Sequence, residues 1–523
     1  MTRRFIGLMG LLVSLLLGVT FLNNLGAHAQ SQIKTQRVLI VYDARNPRAG
    51  GPAKIATLQR LLASVGVPTQ TEALTNYHAG QLTTQKYQGV VTLVDWPSGH
   101  GHNAAFTKDR DRFTGRQLHI GQNLSAAEAR HLHATPKTRY HQQFTLRAGN
   151  SWQLLPFSEN LTVLPGQADH QLGQLRAQGT DQTTYAYGTV RGRYGYLPYL
   201  ANDGLSLILA MRTVATLFHQ TGTQRPLLTI TGVTPYSNLR RLRQLGQQLA
   251  AANIPFAVST TTVANNTALQ GFSDFTRTLR AIERDNGVIF LQTPTVHAAD
   301  TKSGNTLEQL MVAQLNQLGQ RQVIPVGLSA PAYWNQDKLL RRHGLQRASD
   351  VLLLPNPAGP VYAQRDNLGA TYERTWFGLS LRSLQTQRDG QLTPDQLALP
   401  TAITTPMPTS ARQLTATLRQ VKALPVTWYD PQQRLQTSLT SASATFAYRR
   451  GTYLLNGQTV TIGTDAAGVP RYHFTRKNRV VLGNYFKYQG WVLLIFFTVT
   501  TLVLIAFLVV GRRIYRRKFM RQK

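Results

Sequence analysis

The stretch from 227 to 357 constrains the fold of this chain more than any other, because short apolar runs alternate there with amphipathic helical patterns. The first run, 227–231 (LLTIT), precedes a helical pattern over 238–251 whose leucines recur at spacings of three and four residues. Four further strands are predicted at 254–258, 288–291, 323–328 and 351–354, with helices at 272–286, 306–318 and 339–343 between them. This alternation indicates a parallel α/β sheet buried on both faces, with functional residues at the carboxyl ends of its strands.

Four short segments at or near those ends have a recognisable order. They are 228–235 (LTITGVTP), 253–258 (NIPFAV), 290–297 (FLQTPTVH) and 326–333 (VGLSAPAY). Their order and sequence resemble the polysaccharide deacetylase-like family of predicted extracellular proteins (domain of unknown function 2334). The resemblance covers roughly residues 225 to 430. It implies a divergent (β/α) barrel and, in active members, a divalent metal held by an Asp and two His residues.

The matching positions of this chain carry none of the expected ligands. Thr231 and Gly232 stand where the family has an Asp pair, and Gln292 stands where it has the first metal-binding His. The second His position falls on Val296, with His297 one residue later. In the last segment, Ser329 and Ala332 replace a Glu and a His.

These departures predict a barrel that has lost its catalytic residues. Neutral hydroxyl and amide side chains bind a catalytic divalent metal poorly in place of carboxylate and imidazole. The resemblance therefore implies a pseudoenzyme without a cofactor or catalytic residues, whose old cleft binds sugar and where the ring of Tyr333 stacks on it. The predicted cleft-lining residues are Thr231, Gly232, Gln292, His297, Ser329 and Tyr333.

Both ends of the chain predict export and membrane insertion. Residues 1–29 have the pattern of a signal peptide, with two arginines, an apolar core and the cleavage site Ala27-His-Ala29; an uncleaved anchor is the alternative. The uninterrupted apolar run 491–510 is long enough to span a bilayer. The basic tail 511–523 follows it and should stay in the cytoplasm. We therefore expect a single-pass protein of the cell membrane with a large extracellular domain.

Charge is the main feature of the composition. The chain has 56 Lys and Arg against 23 Asp and Glu, a net charge of +33. Removing the two basic residues of the signal and the seven of the tail leaves +24 outside the membrane. That excess favours a cell-surface polysaccharide or an anionic wall polymer as partner, although a generally basic surface is the alternative. No motif of a sequence-specific nucleic-acid module is present, and the absence of cysteine excludes disulfides and Cys-based zinc sites.

Residues 36–135 predict a smaller, flavodoxin-like α/β unit. Apolar strands at 38–42 and 89–94 end in Asp43 and Asp95, and a helix is expected at 52–65. Asp95 with His100 and His102 is the best metal-like group in the chain, since a carboxylate and two imidazoles suit a transition metal. Solvated loop histidines are the alternative.

The remaining segments complete the predicted domain organisation. Residues 140–224 form a β-rich segment and a linking helix, in which the tyrosines between 185 and 199 either pack within a sheet, the favoured interpretation, or stack on sugar. The barrel spans 225–436 and is expected to close through strands at 375–381 and 426–429, with a Pro/Thr loop at 400–408. Residues 440–488 predict a membrane-proximal β-hairpin module that turns at Asn456-Gly457.

The leading hypothesis is a membrane-anchored extracellular polysaccharide deacetylase-like pseudoenzyme that binds or guides a cell-surface or exopolysaccharide. One alternative is an active metal-dependent carbohydrate deacetylase or hydrolase with a relocated site. That site would use either the group at Asp95 or acids such as Asp274, Asp300 and Asp350, which no sequence pattern pairs. The other alternative is an electrostatic tether for anionic wall polymers, whose binding would depend steeply on salt. The sequence predicts no protein partner.

Overall fold

The computed structural model describes residues 36–43, 50–95, 102–165, 169–179, 183–220, 222–296, 302–358, 366–385, 397–462 and 483–519. The predicted signal peptide and His297 therefore lie outside the described residues, as does His100. The chain divides into two compact units, residues 1–469 and 470–523. The first unit is a mixed α/β structure with a ten-stranded sheet, a closed barrel and two smaller sheets.

The N-terminal part of the large sheet is parallel. Its strands β1, β2, β3 and β4 alternate with helices because apolar β-branched runs alternate with amphipathic segments. A capping box of Ser125 and Glu128 stands at the start of the third of these helices. The bounds are β1 (Arg37–Tyr42), α1 (Gly51–Ser64), β2 (Thr69–Ala73), β3 (Tyr87–Val94), α2 (Ala104–Arg112), β4 (Arg116–Gly121) and α3 (Ala126–His131).

The same sheet continues through the β-rich segment. The elements of this segment are β5 (Lys137–Gln142), β6 (Phe144–Ala148), β7 (Ser151–Leu154), β8 (Ser158–Val163), β9 (His170–Ala177), β10 (Thr184–Arg191), β11 (Tyr194–Leu197) and α4 (Gly204–Leu217). Strands β5 and β8 pair with each other in a separate two-stranded sheet. Strand β11 pairs in parallel with β4, and β10, β9, β6 and β7 extend the sheet in antiparallel fashion. Tyr185, Tyr187 and Tyr196 are buried, so these three tyrosines pack in the core, as the favoured interpretation has it.

Seven parallel strands form the closed barrel, which confirms the α/β repeats predicted between 227 and 357. Among the described residues a helix follows every barrel strand but the fifth, and the last strand pairs with the first, so no strand edge is left open. The elements are β12 (Leu227–Val233), α5 (Leu239–Ala251), β13 (Phe256–Thr260), α6 (Gln270–Arg284), β14 (Gly287–Gln292), α7 (Ser303–Gln320), β15 (Gly327–Pro331), α8 (Ala332–Gln336), α9 (Lys338–His343), β16 (Asp350–Leu354), β18 (Arg374–Ser380), α10 (Leu381–Gln385), β19 (Thr401–Pro406) and α11 (Ala411–Lys422).

The strand that closes the barrel lies where a loop was predicted. Strand β19 falls within the Pro/Thr segment 400–408, and 426–429 is not a strand. The prolines lie at or just beyond the ends of β19, where a missing amide hydrogen is tolerated, and Thr and Ile between them favour extended backbone. The expected closure through 426–429 is therefore wrong.

A two-residue strand joins the barrel to the large sheet. Strand β17 (Leu368–Gly369) belongs to the connection between β16 and β18, and it pairs antiparallel with the edge strand β2. The large sheet thus has the order β17-β2-β1-β3-β4-β11-β10-β9-β6-β7. One continuous hydrophobic core runs from Val38 in β1 to Tyr453, so the predicted α/β segments fold as one body.

A four-stranded antiparallel sheet follows the barrel, and its last turn is the predicted one. Asn456 (φ 52°) and Gly457 (φ 80°) both occupy the left-handed region that a tight hairpin requires. The hydroxyl of Tyr453 donates to the Gly287 carbonyl at 3.1 Å and so fixes this sheet to the barrel. The elements are α12 (Pro431–Arg434), β20 (Gln436–Thr440), β21 (Thr445–Arg449), β22 (Thr452–Leu455) and β23 (Gln458–Val460).

The second unit contains the long apolar helix α13 (Gly483–Phe519). Its segment Tyr488–Lys518 reaches a mean hydropathy of 2.9 over an 18-residue window. This helix is long and apolar enough to cross a membrane, and it contains the predicted span 491–510.

Candidate functional site

The carboxyl ends of the barrel strands bring together two of the predicted cleft residues. Gln292 on β14 and Ser329 on β15 are partners in the strand register. Ser259, on the other side of β14, lies 2.8 Å from Ser329 between hydroxyl oxygens and donates to the Gln292 Oε1 at 3.3 Å. Ser259 and Ser329 are fully buried and Gln292 is partly exposed. The three side chains form a neutral polar cluster, and Ser259 was missed because it lies outside the resemblance motifs.

Thr231 and Gly232 form the end of the first barrel strand. The Thr231 hydroxyl donates to the Thr405 carbonyl of β19 at 3.4 Å. Gly232 is exposed with φ 72°, and the register with β13 shifts between Ile230 and Val233. This bulge needs a residue that tolerates positive φ, which explains a glycine here.

An exposed aromatic residue follows this bulge. Tyr236 is 89% exposed in the turn before α5, and its amide donates to the Thr234 hydroxyl at 3.2 Å. The turn follows the carboxyl end of β12, so Tyr236 lies on the same face of the barrel as Thr231. The sequence shows a proline-containing turn here but not the exposure of the ring, and Tyr236 was not predicted.

Tyr333 does not have the expected position. Its side chain is 5% exposed, and its amide donates to Asn356 Oδ1 at 2.9 Å. Because the ring is packed in the core, the prediction that Tyr333 stacks on a sugar is wrong for this structure. A tyrosine in the first turn after β15 turns inward here because α8 packs against the barrel.

The strongly perturbed acids are not part of the neutral polar cluster. Asp350 opens β16, at the amino end of the barrel, and burial raises its pKa to about 6 despite the opposing charge of Arg374. Glu283 lies near the end of α6, where complete burial raises its pKa well above the ordinary range. Asp274 forms an exposed ion pair with Arg277, and Asp300 lies outside the described residues. No two of the described candidate acids face each other across the barrel mouth.

The metal candidate at Asp95 has a different partner. Its carboxylate lies 2.7 Å from the ammonium of Lys54, and the Lys54 side chain also lies over the Tyr199 ring. The Asp95 amide donates to the carboxylate of Asp43 at 3.1 Å. His102 is exposed, and within the described part of the chain no group of three or more His, Asp or Glu could hold a metal ion. Asp95 Oδ1 is thus paired with Lys54, and the proposed metal partner His100 lies outside the described residues.

Among the described residues, the barrel mouth thus offers the partly exposed Thr231 hydroxyl and Gln292 amide, which donate and accept neutral hydrogen bonds, beside the exposed ring of Tyr236. Such groups suit the binding of a polyhydroxyl ligand, and they provide neither a general base nor a charged metal ligand. A scan against protein-family models finds no match for this sequence, and a search of curated proteins finds none with significant similarity.

Proposed function

We propose that this protein is a membrane-anchored extracellular polysaccharide deacetylase-like pseudoenzyme that binds or guides a cell-surface or exopolysaccharide. The observation that carries the proposal is the neutral cluster of Ser259, Gln292 and Ser329 at the strand ends. In a barrel of this kind the strand ends are where catalytic groups are placed. A neutral cluster at that position, with the Gln292 side chain partly exposed, favours ligand binding over hydrolysis.

The architecture supports the deacetylase-like assignment. The barrel is parallel and built of alternating strands and helices, and the four resemblance segments lie at or near strands β12 to β15. In the large sheet, the parallel strands have the order β2-β1-β3-β4-β11, which is the flavodoxin-like order. A flavodoxin-like unit preceding a degenerate barrel is the domain arrangement we propose.

The long helix α13 and the charge distribution support the proposed location. Arg512, Arg513, Arg516, Arg517 and Lys518 follow the apolar segment, which favours a cytoplasmic C-terminus and an extracellular barrel. An extracellular portion of net charge +24 would attract acidic surface polymers.

Retention of the protein on immobilised polysaccharides of the producing cell's surface tests the proposal. Tyr236→Ala should weaken retention about five- to tenfold, because one exposed stacking contact is lost. Gln292→Ala should weaken it as well, since a polar group of the mouth is removed. Tyr140→Ala is the matched control, because Tyr140 is also exposed (68%) but lies on β5. If neither Tyr236→Ala nor Gln292→Ala changed retention, the barrel mouth would not be the polysaccharide-binding site.

Two assays on the same purified protein separate the proposal from an active deacetylase. We expect no stoichiometric divalent metal and no release of acetate from acetylated glycans. Acetate release that a chelator abolishes would contradict the pseudoenzyme assignment.

The net positive charge favours one second candidate, an electrostatic tether for anionic wall polymers. Binding by a tether would fall steeply with salt and would be indifferent to Tyr236→Ala. Binding at the barrel mouth would depend on Tyr236 at constant salt.

A further inference from the structure

A buried arginine crosses from the large sheet's first helix to the barrel. Arg60 on α1 is 3% exposed, and its Nη1 donates to the Gly378 carbonyl at 2.9 Å and to the Leu353 carbonyl at 3.4 Å. Its guanidinium lies 4.3 Å from the centre of the Phe377 ring. Arg60 therefore contacts two adjacent barrel strands, β16 and β18, near their carboxyl ends.

This guanidinium has no carboxylate partner among the residues that the structure describes, and its Nε has no hydrogen-bond acceptor there. Burial without a compensating acid lowers its pKa to about 9. A buried charge without a partner is costly, and native structures rarely keep one without a use. Within the described ranges, Arg60 is thus a buried cation whose only hydrogen bonds are to backbone carbonyls.

A cavity of about 130 Å³ lies against Arg60. Its polar lining comes from three places: α1, the residues before α4, and the carboxyl end of β18 with the start of α10. The polar lining residues are Arg60, Asn202, Asp203, Ser380, Arg382 and Ser383. Because Ser380 ends β18, the cavity lies on the same face of the barrel as Thr231, Gln292 and Ser329. The space holds several waters or one small oxyanion, since one water occupies about 30 Å³ of liquid.

The charges of the lining favour an anion. The lining residues include two arginines, Arg60 and the exposed Arg382, and one acid, the exposed Asp203. Asn202, another lining residue, accepts from the Thr57 hydroxyl at 2.9 Å through its side-chain oxygen. Asp203 precedes α4, where a carboxylate also interacts with the positive end of that helix.

We propose that this cavity binds a single oxyanion group, a carboxylate or a phosphodiester, carried by the polymer that the barrel mouth holds. Arginine suits this role because its planar fork matches both groups. The inference rests on the proposed function and adds to it that the bound polysaccharide is acidic. The anion would pair with Arg60, for which the described residues supply no carboxylate.

Thermal unfolding of the full chain in detergent micelles tests the site, with glucuronate and inorganic phosphate as probes and glucose as the neutral comparison. Total ionic strength is held constant with chloride. We expect one oxyanion to raise the midpoint in a concentration-dependent manner, and glucose to leave it unchanged. Glucuronate alone would indicate an acidic sugar as the source, whereas phosphate alone would indicate a phosphodiester.

Two variants assign the effect to the cavity. Arg382→Ala should weaken the oxyanion response at least about tenfold, because a charge-assisted contact is lost. Arg60→Met should abolish the response and, without oxyanion, unfold at a temperature no lower than the parent chain, since a buried unpaired charge is replaced by an apolar chain. Arg277→Ala, at an exposed ion pair, is the matched control and should respond as the parent does.

The outcomes separate this inference from the proposed function. An oxyanion response that survives in Arg382→Ala and Arg60→Met, or no response at all in the parent chain, would overturn the anion site. In that case, weaker polysaccharide retention by Tyr236→Ala would still support the proposed function, because Tyr236 is not part of the cavity lining. Neutral polysaccharide held as tightly as acidic polysaccharide would also contradict the inference.

Discussion

Asp350 Oδ1 lies 3.6 Å from Arg374 Nη1 at the amino end of the barrel, and burial determines the properties of this pair. The Asp350 side chain is 2% exposed and that of Arg374 is 31% exposed, so the acid loses far more hydration than the base. The carboxylate also accepts from the Ser349 hydroxyl at 3.0 Å and from Trp376 Nε1 at 3.4 Å. Burial still raises its pKa to about 6, from an ordinary value of 3.8.

This pKa predicts a loss of stability with rising pH. Between pH 4 and 6 the folded state holds a proton on Asp350 that the unfolded state has released, so the free energy of unfolding falls as pH rises. In Asp350→Asn the free energy of unfolding should decrease less with pH, and the difference from the parent should reach up to about 3 kcal/mol between pH 4 and 6. Unfolding midpoints at half-unit pH steps measure it, with the exposed Asp274→Asn as control. An equal slope in Asp350→Asn and the parent would contradict the raised pKa.

The raised pKa of Glu283 also predicts that the free energy of unfolding falls as pH rises. Its Oε1 accepts from the Ile324 amide at 2.9 Å, while complete burial raises its pKa well above the ordinary value. Glu283→Gln keeps the acceptor and should change the free energy of unfolding at pH 5 by less than about 1 kcal/mol.

Glu283→Leu leaves the Ile324 amide without an acceptor and should cost about 1–3 kcal/mol at the same pH. Denaturant titration of both variants at pH 5 and pH 8 checks this, and Glu283→Gln should gain relative to the parent at pH 8. A parent chain that is equally stable at both pH values relative to Glu283→Gln would show that Glu283 is ionised when folded.

Much of the barrel could be predicted because its local and tertiary requirements agree. Strands β12, β13, β14 and β16 contain short apolar runs, and helices α5 and α6 have one apolar face, so periodicity indicates their type. The strand predicted at 323–328 overlaps β15 only at 327–328. The neutral residues at the strand ends could also be predicted, since Thr231, Gln292 and Ser329 occupy the ligand positions of the resemblance segments. The hydrogen bonds of these residues could not be predicted, because Ser259 and Ser329 come into contact only when the barrel has closed.

Other features depend on tertiary contacts that leave no local pattern. Strand β17 has two residues and exists because β2 offers an open edge. Strand β19 has prolines near its ends that resemble a loop signal until its pairing with β12 is known. In the sequence, Arg60 is one polar residue of a predicted amphipathic helix, and it becomes buried only because α1 packs against the barrel. The burial of Tyr333 has the same origin.

Arg341 should hold β17 in place. Its Nη1 donates to the carbonyls of Asn335 and Leu368 at 2.8 and 3.0 Å, and it forms an ion pair with Asp366. Arg341→Lys cannot satisfy the same three acceptors in one plane, so β17 should separate from β2 more often. Amide exchange of Thr71, which donates to the Asn367 carbonyl, should become at least about tenfold faster at a cost of about 1.5–3 kcal/mol. Arg342→Lys, at the exposed neighbouring position, is the control and should leave this exchange unchanged.

The absence of cysteine makes the proposed membrane orientation directly testable, since any introduced thiol is unique. Ala442→Cys lies in an exposed turn after β20, and Lys518→Cys lies in the basic segment of α13. On intact cells a membrane-impermeant maleimide should label position 442 and leave position 518 unlabelled until the membrane is permeabilised. This outcome follows if the basic residues of α13 stay in the cytoplasm. The reverse pattern would place the barrel inside the cell, where an extracellular polysaccharide could not reach Gln292 or Arg60.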